Sequence, residues 1–125
     1  MERGQFIEYK GIKIFVLDFC NCQPSERYDL IEECARQVQS QPKKSIYAVT
    51  VATGSHFDAG FVEKLKLLAK GNEPHVIKSA VVGLSGLQQI AMMIISSFSN
   101  KTFEQFDSLE KAKEFFVTDS LKRNG

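Results

Sequence analysis

The chain has 125 residues, of which 43% are hydrophobic and 25% are charged, an ordinary mixture for a globular domain. Sixteen lysines and arginines against fifteen acidic residues give a net charge of +1, which argues against disorder and leaves no broad basic field for nucleic acid. At this length a folded chain buries enough surface to be stable without a metal or a disulfide.

Compartment and targeting follow from a few local features. The cysteines Cys20, Cys22 and Cys34 are too few, and odd in number, for the disulfide framework of a secreted domain. Residues 1–5 lack the apolar core of a signal peptide. The most apolar stretch, residues 87–98, is shorter than the roughly 20 residues that cross a membrane. We therefore expect a cytoplasmic protein that does not associate with membranes.

The first segments predict a hairpin that leads into a buried strand. Residues 5–9 partly alternate in polarity and meet the tight-turn pair Lys10-Gly11. Residues 12–19 are almost continuously apolar, as in a strand that is covered on both faces.

A loop at residues 21–25 precedes the first predicted helix, and Pro24 suits its first turn. Residues 26–41 place apolar side chains three and four positions apart, which predicts one buried stripe on an amphipathic helix. The predicted stripe consists of Tyr28, Ile31, Cys34, Ala35 and Val38. Pro42 ends the helix.

The middle of the chain repeats this pattern of strand, loop and helix. Residues 46–51 form a β-branched strand, and residues 52–57 a polar loop. Asp58 can cap the next helix, which Gly71-Asn72 would end. Its predicted stripe consists of Phe61, Val62, Leu65, Leu68 and Ala69.

Residues 76–82 predict a third buried strand, and Gly83-Leu84 connects it to another helix. Ser85 and Gln88 have the spacing of a capping box at that helix start. The predicted apolar stripe consists of Leu87, Ile90, Ala91, Ile94 and Phe98.

A short strand at residues 102–106 and one more helix complete the chain. Asp107 and Glu110 have capping-box spacing and open that helix, with residues 122–125 as a frayed tail. The apolar positions are Leu109, Ala112, Phe116 and Val117.

The order β-β-α-β-α-β-α-β-α predicts a single α/β domain over residues 1–125. We expect a mostly parallel sheet of five strands, of which the N-terminal strand is antiparallel, and four helices packed against the sheet. In such sheets, binding sites lie beyond the carboxyl ends of the strands. These ends are at residues 18–23, 52–58, 83–86 and 105–108. We expect the four loops to share one edge of the molecule.

The chain resembles the anti-sigma-factor antagonist (STAS) domains, and more closely the compact bacterial proteins described as stage II sporulation AA-like. The resemblance covers nearly the whole chain. It is carried by Glu8-Tyr9-Lys10-Gly11-Ile12, by Ser79-Ala80-Val81-Val82-Gly83 with Ser85-Gly86-Leu87, and by Phe106-Asp107-Ser108-Leu109-Glu110-Lys111-Ala112. It implies a small cytoplasmic regulatory module that binds protein partners.

In the best-known STAS proteins, a partner kinase phosphorylates a serine in an Asp-Ser-Ser/Thr-Gly loop. The resemblance places that Asp at Asp58 and the acceptor at Ala59, followed by Gly60. A register slipped by one residue puts Asp58 itself at the acceptor position, so the hydroxyl is missing either way. Thr53 and Ser55 lie in the same loop but do not match the acceptor position. The phosphorylation switch is therefore not expected here.

Two other sites compete with plain structural interpretations. Cys22 precedes a helix, whose dipole would favour a thiolate, and His56 is the nearest candidate base, but a partly buried free thiol is the simpler interpretation. Cys20, Cys22 and the segment His56-Phe57-Asp58 match the paired spacing of a zinc site poorly, so no metal and no cofactor are expected.

The segment Ser85-Gly86-Leu87, at the start of a helix, could offer backbone amides and a hydroxyl to an anion. Residues 55–58 could do the same for a hydroxyl-bearing ligand, although Asp58 would repel phosphate. Simple helix capping is the alternative for both segments. The helix over residues 87–98 is too apolar for one buried stripe. Either Met92 and Ile95 are exposed as a partner or dimer surface, or the helix is buried on two sides.

The sequence therefore predicts a non-enzymatic regulatory or interaction module that contacts a protein partner, or a second copy, through residues 52–59 and 87–98. The alternative is a binder of a small anionic or apolar ligand in a crevice lined by Asp18, Thr53, Ser55, His56 and Ser85. A third reading is an enzyme that uses Cys22 and His56. The candidate interaction or ligand residues are Asp18, Thr53, Ser55, His56, Asp58, Ala59, Gly60, Ser85, Gly86 and Met92.

Overall fold

The computed structural model describes residues 3–97 and 103–124, apart from the side chain of Leu87. The elements in chain order are β1 (Gly4–Tyr9), β2 (Ile12–Asp18), α1 (Pro24–Gln39), β3 (Ile46–Val51), α2 (Ala59–Asn72), β4 (Val76–Val82), α3 (Gly86–Ser96), β5 (Phe103–Phe106) and α4 (Leu109–Asn124). A short 3₁₀ turn, Glu73–His75, links α2 to β4. Residues 1–2, Phe98, Thr102 and Gly125, which the sequence predictions include, lie outside the described residues.

The five strands form one sheet in the order β1-β2-β3-β4-β5. β1 runs antiparallel to β2, and the other three pairs are parallel. The predicted α/β class, strand directions and element order are therefore confirmed. The strands β3 and β4 also have the predicted bounds, because an uninterrupted apolar run with polar loops on either side identifies a buried strand clearly.

The two faces of the sheet carry two separate apolar cores. On the first face Phe15, Leu17 and Val81 pack against side chains from α1, α2 and α3. On the second face Tyr47 and Val49 pack against Ala112 and Phe116 of α4, together with Ile14, Ala80 and Val82. Successive residues of a strand point to opposite faces, so each central strand contributes to both cores. Three helices thus cover one face, and α4 alone covers the other.

The buried stripe of α1 differs from the predicted one. The helix begins at Pro24, which was expected in its first turn, and ends at Gln39, two residues before the predicted end. Its buried positions are Arg27, Ile31, Cys34 and Val38. Tyr28, which was expected in the stripe, is exposed instead. Arg27 takes its place because the buried guanidinium finds polar partners in the loop before α2, as described below. A pattern based on apolar residues alone does not recognise such an arginine.

The helix α3 is rotated from its predicted orientation, and this corrects the prediction for Met92. Met92 and Ile95 are buried, at 7% and 1% exposure, whereas Ile90 and Ile94 of the predicted stripe are 56% and 46% exposed. The helix is therefore neither buried on two sides nor exposed at Met92. The reason is Gln88, whose buried amide faces inward and brings Ala91, Met92 and Ile95 inward with it.

The helix α2 ends at Asn72, as the pair Gly71-Asn72 predicted, and the lack of a side chain at Gly71 lets Gln39 of α1 approach closely. Both ends of α4 differ from the prediction. Ser108, and not Asp107, caps α4, because its hydroxyl oxygen accepts a hydrogen bond from the Lys111 amide at 3.2 Å. Residues 122–124, expected as a tail, continue the helix α4.

A polar network fastens α4 to the sheet. The buried Tyr47 donates its hydroxyl to Asp119 at 2.7 Å, and Arg123 and Lys78 pair with the same carboxylate at 2.6 and 3.7 Å. Burial, together with the hydrogen bond to Asp119, raises the pKa of Tyr47 to about 12. None of the helices over the described residues is long and apolar enough to cross a bilayer.

Candidate functional site

The loops that follow the parallel strands meet along one edge of the sheet, as predicted. Backbone hydrogen bonds continue the sheet ladder past the strand ends: Phe19 donates to Val51 at 2.8 Å, Ala52 to Val82 at 2.8 Å, and Gly83 to Phe106 at 3.2 Å. We call the loops at residues 18–23, 52–58, 83–85 and 106–108 the carboxyl edge.

Two glycines let these loops approach one another closely. Gly83 has φ +81° and Gly54 has φ +71°, a region that other residues adopt only at a cost. A Cβ atom on Gly83 would overlap the hydroxyl of Thr53, and one on Gly54 would overlap the side chain of Asn21. The loop at residues 52–58 therefore packs closely against the loops that contain Asn21 and Gly83.

A buried arginine from α1 holds the same loop. Arg27 is only 2% exposed and lies with its guanidinium carbon 4.4 Å from the centre of the Phe61 ring. Its Nη2 donates to Asp58 Oδ2 at 2.9 Å, and its Nη1 donates to the backbone carbonyl of His56. The loop thus supplies both a counter-charge and a carbonyl oxygen to a charge that the core would otherwise leave unpaired.

Asp58 has two functions in this arrangement. Its Oδ1 accepts a hydrogen bond from the Phe61 amide at 2.8 Å, which confirms the predicted cap of α2, while Oδ2 pairs with Arg27. The hydrogen bond from the Phe61 amide, followed by that from Arg27, lowers the pKa of the Asp58 carboxyl. The negative charge of Asp58 therefore has a structural role, because both carboxylate oxygens are hydrogen-bonded within the protein.

Gln88 holds the loop from the opposite side. Its Oε1 accepts from the Ser85 amide at 3.0 Å and from the Ser85 hydroxyl at 3.3 Å, which confirms the glutamine half of the predicted capping box. Its Nε2 donates to the carbonyl of Ala52 at 3.4 Å and to that of Ser55. The spacing of Ser85 and Gln88 predicts only the local cap, because nothing in the neighbouring sequence indicates the long-range contact with residues 52 and 55.

The remaining predicted residues fall into exposed and enclosed groups. Thr53, His56, Ala59 and Gly60 are exposed on the loop and the start of α2, and Ser85 and Gly86 are exposed at the start of α3. Ser55 is 7% exposed, which corrects its expected place on an open crevice wall. The carboxylate of Asp18 accepts a hydrogen bond from the Cys20 amide at 2.8 Å and so supports the turn after β2.

The thiol of Cys22 differs from the expectation based on the helix dipole. Burial raises its pKa, and the nearby carboxylate of Glu26, 3.9 Å from the sulfur, acts in the same direction. His75 lies at the opposite end of the sheet, where Nδ1 is 2.7 Å from the Gln41 carbonyl oxygen. Over residues 3–97 and 103–124, no three His, Cys, Asp or Glu side chains are grouped as metal ligands.

A groove lies at the carboxyl edge, and a cavity lies inside the first core. An open groove of about 530 Å³ lies at the ends of β4 and β5, between Gly83, Gln105 and Lys111. It is displaced from the predicted crevice between Asp18 and Ser85. The cavity, of about 60 Å³, lies inside the first core, where Phe57, Leu68 and Met92 line it.

The outward side of α3 is the most apolar exposed surface of a described helix. Ile90, Met93 and Ile94 are 56%, 71% and 46% exposed. Their spacing of three and four residues places them on one side of the helix. We call these three side chains the α3 outer face. The helix α3 carries no charged residue.

No protein-family model and no curated protein matches this sequence. The fold, however, is similar to that of a solved structure, an uncharacterized protein of the DUF3478 family with a SpoIIAA-like fold from Shewanella loihica PV-4. The match has a TM-score of 0.63 and covers 90% of each chain, with 13% sequence identity. The chain therefore has a SpoIIAA-like fold, which confirms the STAS-like fold inferred from the sequence.

Replacing Gly83 with alanine tests the close contact between the loops. We expect Gly11→Ala to lower the free energy of unfolding by about 1–2 kcal/mol, the penalty for a left-handed backbone at alanine. Gly83→Ala should lower it by more. Both glycines have a positive φ, but a Cβ atom on Gly11 meets nothing within 4 Å. Urea denaturation of the two variants measures the difference. Equal losses would contradict a steric role for Thr53.

Asp58→Asn tests the ion pair with Arg27, because asparagine still caps a helix but carries no charge. The pKa of Asp58 is lowered in the folded state, so its carboxylate stabilises the protein above the unfolded pKa of about 4. We expect Asp58→Asn to lower the urea midpoint at pH 7. The gap from wild type should begin to narrow as the pH falls below about 4 and should close only below the lowered pKa of the native Asp58.

The matched control is Asp107→Asn. The pKa of Asp107 is also lowered, but its partner Lys111 is exposed, so the change should affect the urea midpoint less. If the two variants gave the same gap from wild type at pH 7, the burial of Arg27 would have no energetic consequence.

Proposed function

We propose that this chain, with its SpoIIAA-like fold, is a non-enzymatic regulatory module of the cytoplasm that acts by binding a protein partner. The observation that carries the proposal is the α3 outer face, three large apolar side chains exposed on one side of an uncharged helix. The exposed start of α2, next to the loop at residues 52–58, is proposed as a second contact region.

The α3 outer face has the properties of a contact surface. A contiguous exposed apolar patch is unusual on a protein that acts alone and often marks an interaction site. Methionine, here Met93, adapts its flexible and polarizable side chain to different partner surfaces. Because α3 carries no charge, a complementary partner surface would be apolar or neutral. A strongly charged ligand has nothing to pair with on this helix.

The carboxyl edge supports binding by a rigid surface. Arg27 and Gln88 hold the loop at residues 52–58 from both sides, so a partner would meet a preformed loop and lose little free energy in ordering it. Ala59 and Gly60 are exposed and carry no hydroxyl. Contact at this position would accordingly not be controlled by phosphorylation of residue 59.

The state of Cys22 supports a role without catalysis. A nucleophilic cysteine needs a lowered pKa and a nearby base. The pKa of Cys22 is raised by burial, and the negative charge of the nearby Glu26 carboxylate also raises it. Both features favour the neutral thiol at physiological pH.

Met93→Glu tests the proposal. Partners captured from a lysate of the native host would be identified and purified, and their affinity measured directly by calorimetry. We expect Met93→Glu to weaken binding by about tenfold or more, because it places a charge in an apolar contact. Gly60→Arg should weaken binding if the start of α2 also takes part.

The control is Leu121→Glu, since Leu121 is 68% exposed on α4, which covers the opposite face of the sheet. It should bind the purified partner as wild type does. Unchanged binding by both Met93→Glu and Gly60→Arg would contradict the proposed contact regions.

A second candidate function, the binding of a small apolar ligand, is favoured by the internal cavity of about 60 Å³. Its lining is mainly apolar and includes Phe57 of the carboxyl edge and Met92 of α3. A cavity of about 150 Å³ is known to hold benzene in another protein, so a ligand of that size would require α2 or α3 to move.

Met92→Ala tests this second candidate by enlarging the cavity. We expect it to lower stability by about 2–4 kcal/mol and to raise the gain in melting temperature that saturating benzene produces. Met93→Ala is the matched control, because Met93 is exposed and its truncation leaves the cavity unchanged. A melting temperature that benzene leaves unchanged in wild type and in Met92→Ala would count against ligand binding.

A further inference from the structure

We propose that the partner of the α3 outer face is a second copy of the same chain, packed α3 against α3 across a two-fold axis. The inference rests on the proposed function, because it names the partner of the same surface. It follows from the charge distribution of the chain and from the position of the exposed side chains on the helix.

The charge distribution favours self-association through α3 over any other helix. From Ser79 to Asn100 the sequence contains no Asp, Glu, Lys, Arg or His, although a quarter of the chain is charged. A two-fold interface brings the same patch together from both copies, so a charged residue near the axis meets its own like charge. Among the described helices, α1, α2 and α4 all carry such charges and α3 carries none.

The position of the side chains fits helix-to-helix packing. Ile90, Met93 and Ile94 follow the spacing that forms a ridge along one side of a helix, and such ridges pack into the grooves of a second helix. Met93 is the most exposed of the three and lies between the other two in sequence. The exposed Gln89 and Ser97 are neutral and polar, as expected for the rim of an interface.

The size of the patch indicates how strong the contact is. A standard stable interface buries about 800 Å² on each partner, which is more than three side chains provide. We therefore expect a dimer that forms at high protein concentration and dissociates on dilution. In that equilibrium, both copies bury a surface that is exposed in the isolated chain.

A charge-exchange experiment tests the dimer. Sedimentation equilibrium of wild type, between about 10 µM and about 1 mM, should show a reversible monomer–dimer equilibrium. Met93→Glu and Met93→Lys should each weaken dimerisation by about tenfold or more, because like charges then meet near the axis. An equimolar mixture of the two variants should recover the dimer, because the two charges are now opposite.

The controls separate a specific contact from a general loss of structure. Leu121→Glu changes an equally exposed apolar residue and should dimerise as wild type does. Met93 is 71% exposed, so its variants should keep the wild-type thermal melting transition. Ile90→Glu and Ile90→Lys repeat the exchange if the Met93 variants do not fold.

Several outcomes overturn the inference. A wild-type chain that stays monomeric to about 1 mM excludes the dimer, and a mixture of Met93→Glu and Met93→Lys that stays monomeric excludes packing of α3 on its copy. If wild type is monomeric but Met93→Glu still loses a purified protein partner, the proposed function stands and only the dimer fails. Wild type that remains monomeric and sediments with phosphatidylcholine vesicles would identify a lipid surface as the occupant.

Discussion

The carboxyl edge depends on the pairing of one buried charge with the loop before α2. An ionised arginine in the core costs several kcal/mol unless its charge and its hydrogen bonds are satisfied. Arg27 obtains a carboxylate from Asp58 and a carbonyl from His56, and both residues lie in the loop at residues 52–58. The same carboxylate caps α2. One contact therefore sets the conformation of the loop, the start of α2 and its position next to α1.

Gln88 repeats this principle from the other side and thereby determines the surface of the protein. Its amide must face inward to reach the carbonyls of Ala52 and Ser55. With Gln88 inward, the geometry of a helix directs Met92 and Ile95 inward as well and leaves Met93 facing outward. The α3 outer face is therefore exposed because Gln88, on the opposite side of the helix, is buried against the loop at residues 52–58.

The strands and the common edge of their loops could be predicted from the sequence, whereas the inward side of α3 and the buried Arg27 of α1 could not. The bounds of β3 and β4 follow from uninterrupted apolar runs. In α3 the predicted stripe and the buried set 88-91-92-95 have the same period, but Ile90 and Ile94 of the predicted stripe are exposed. Periodicity gives the spacing of a stripe but not its phase when one member is polar. Arg27 and Gln88 decide that phase through contacts about 30 residues away in sequence, at Asp58 and Ser55, and a local pattern contains no sign of such partners.

The strand order has a consequence for synthesis on the ribosome. Because each strand pairs with the one made just before it, the sheet can grow in the order in which the chain emerges. The second face stays uncovered until α4, which follows all five strands, is complete, so Tyr47, Val49 and Ala80 are shielded later than the apolar groups of the first face. A nascent or prematurely terminated chain would present this bare sheet surface to other molecules and would be prone to aggregate. The sixteen residues of α4 therefore shield an apolar surface that the growing chain leaves open to solvent.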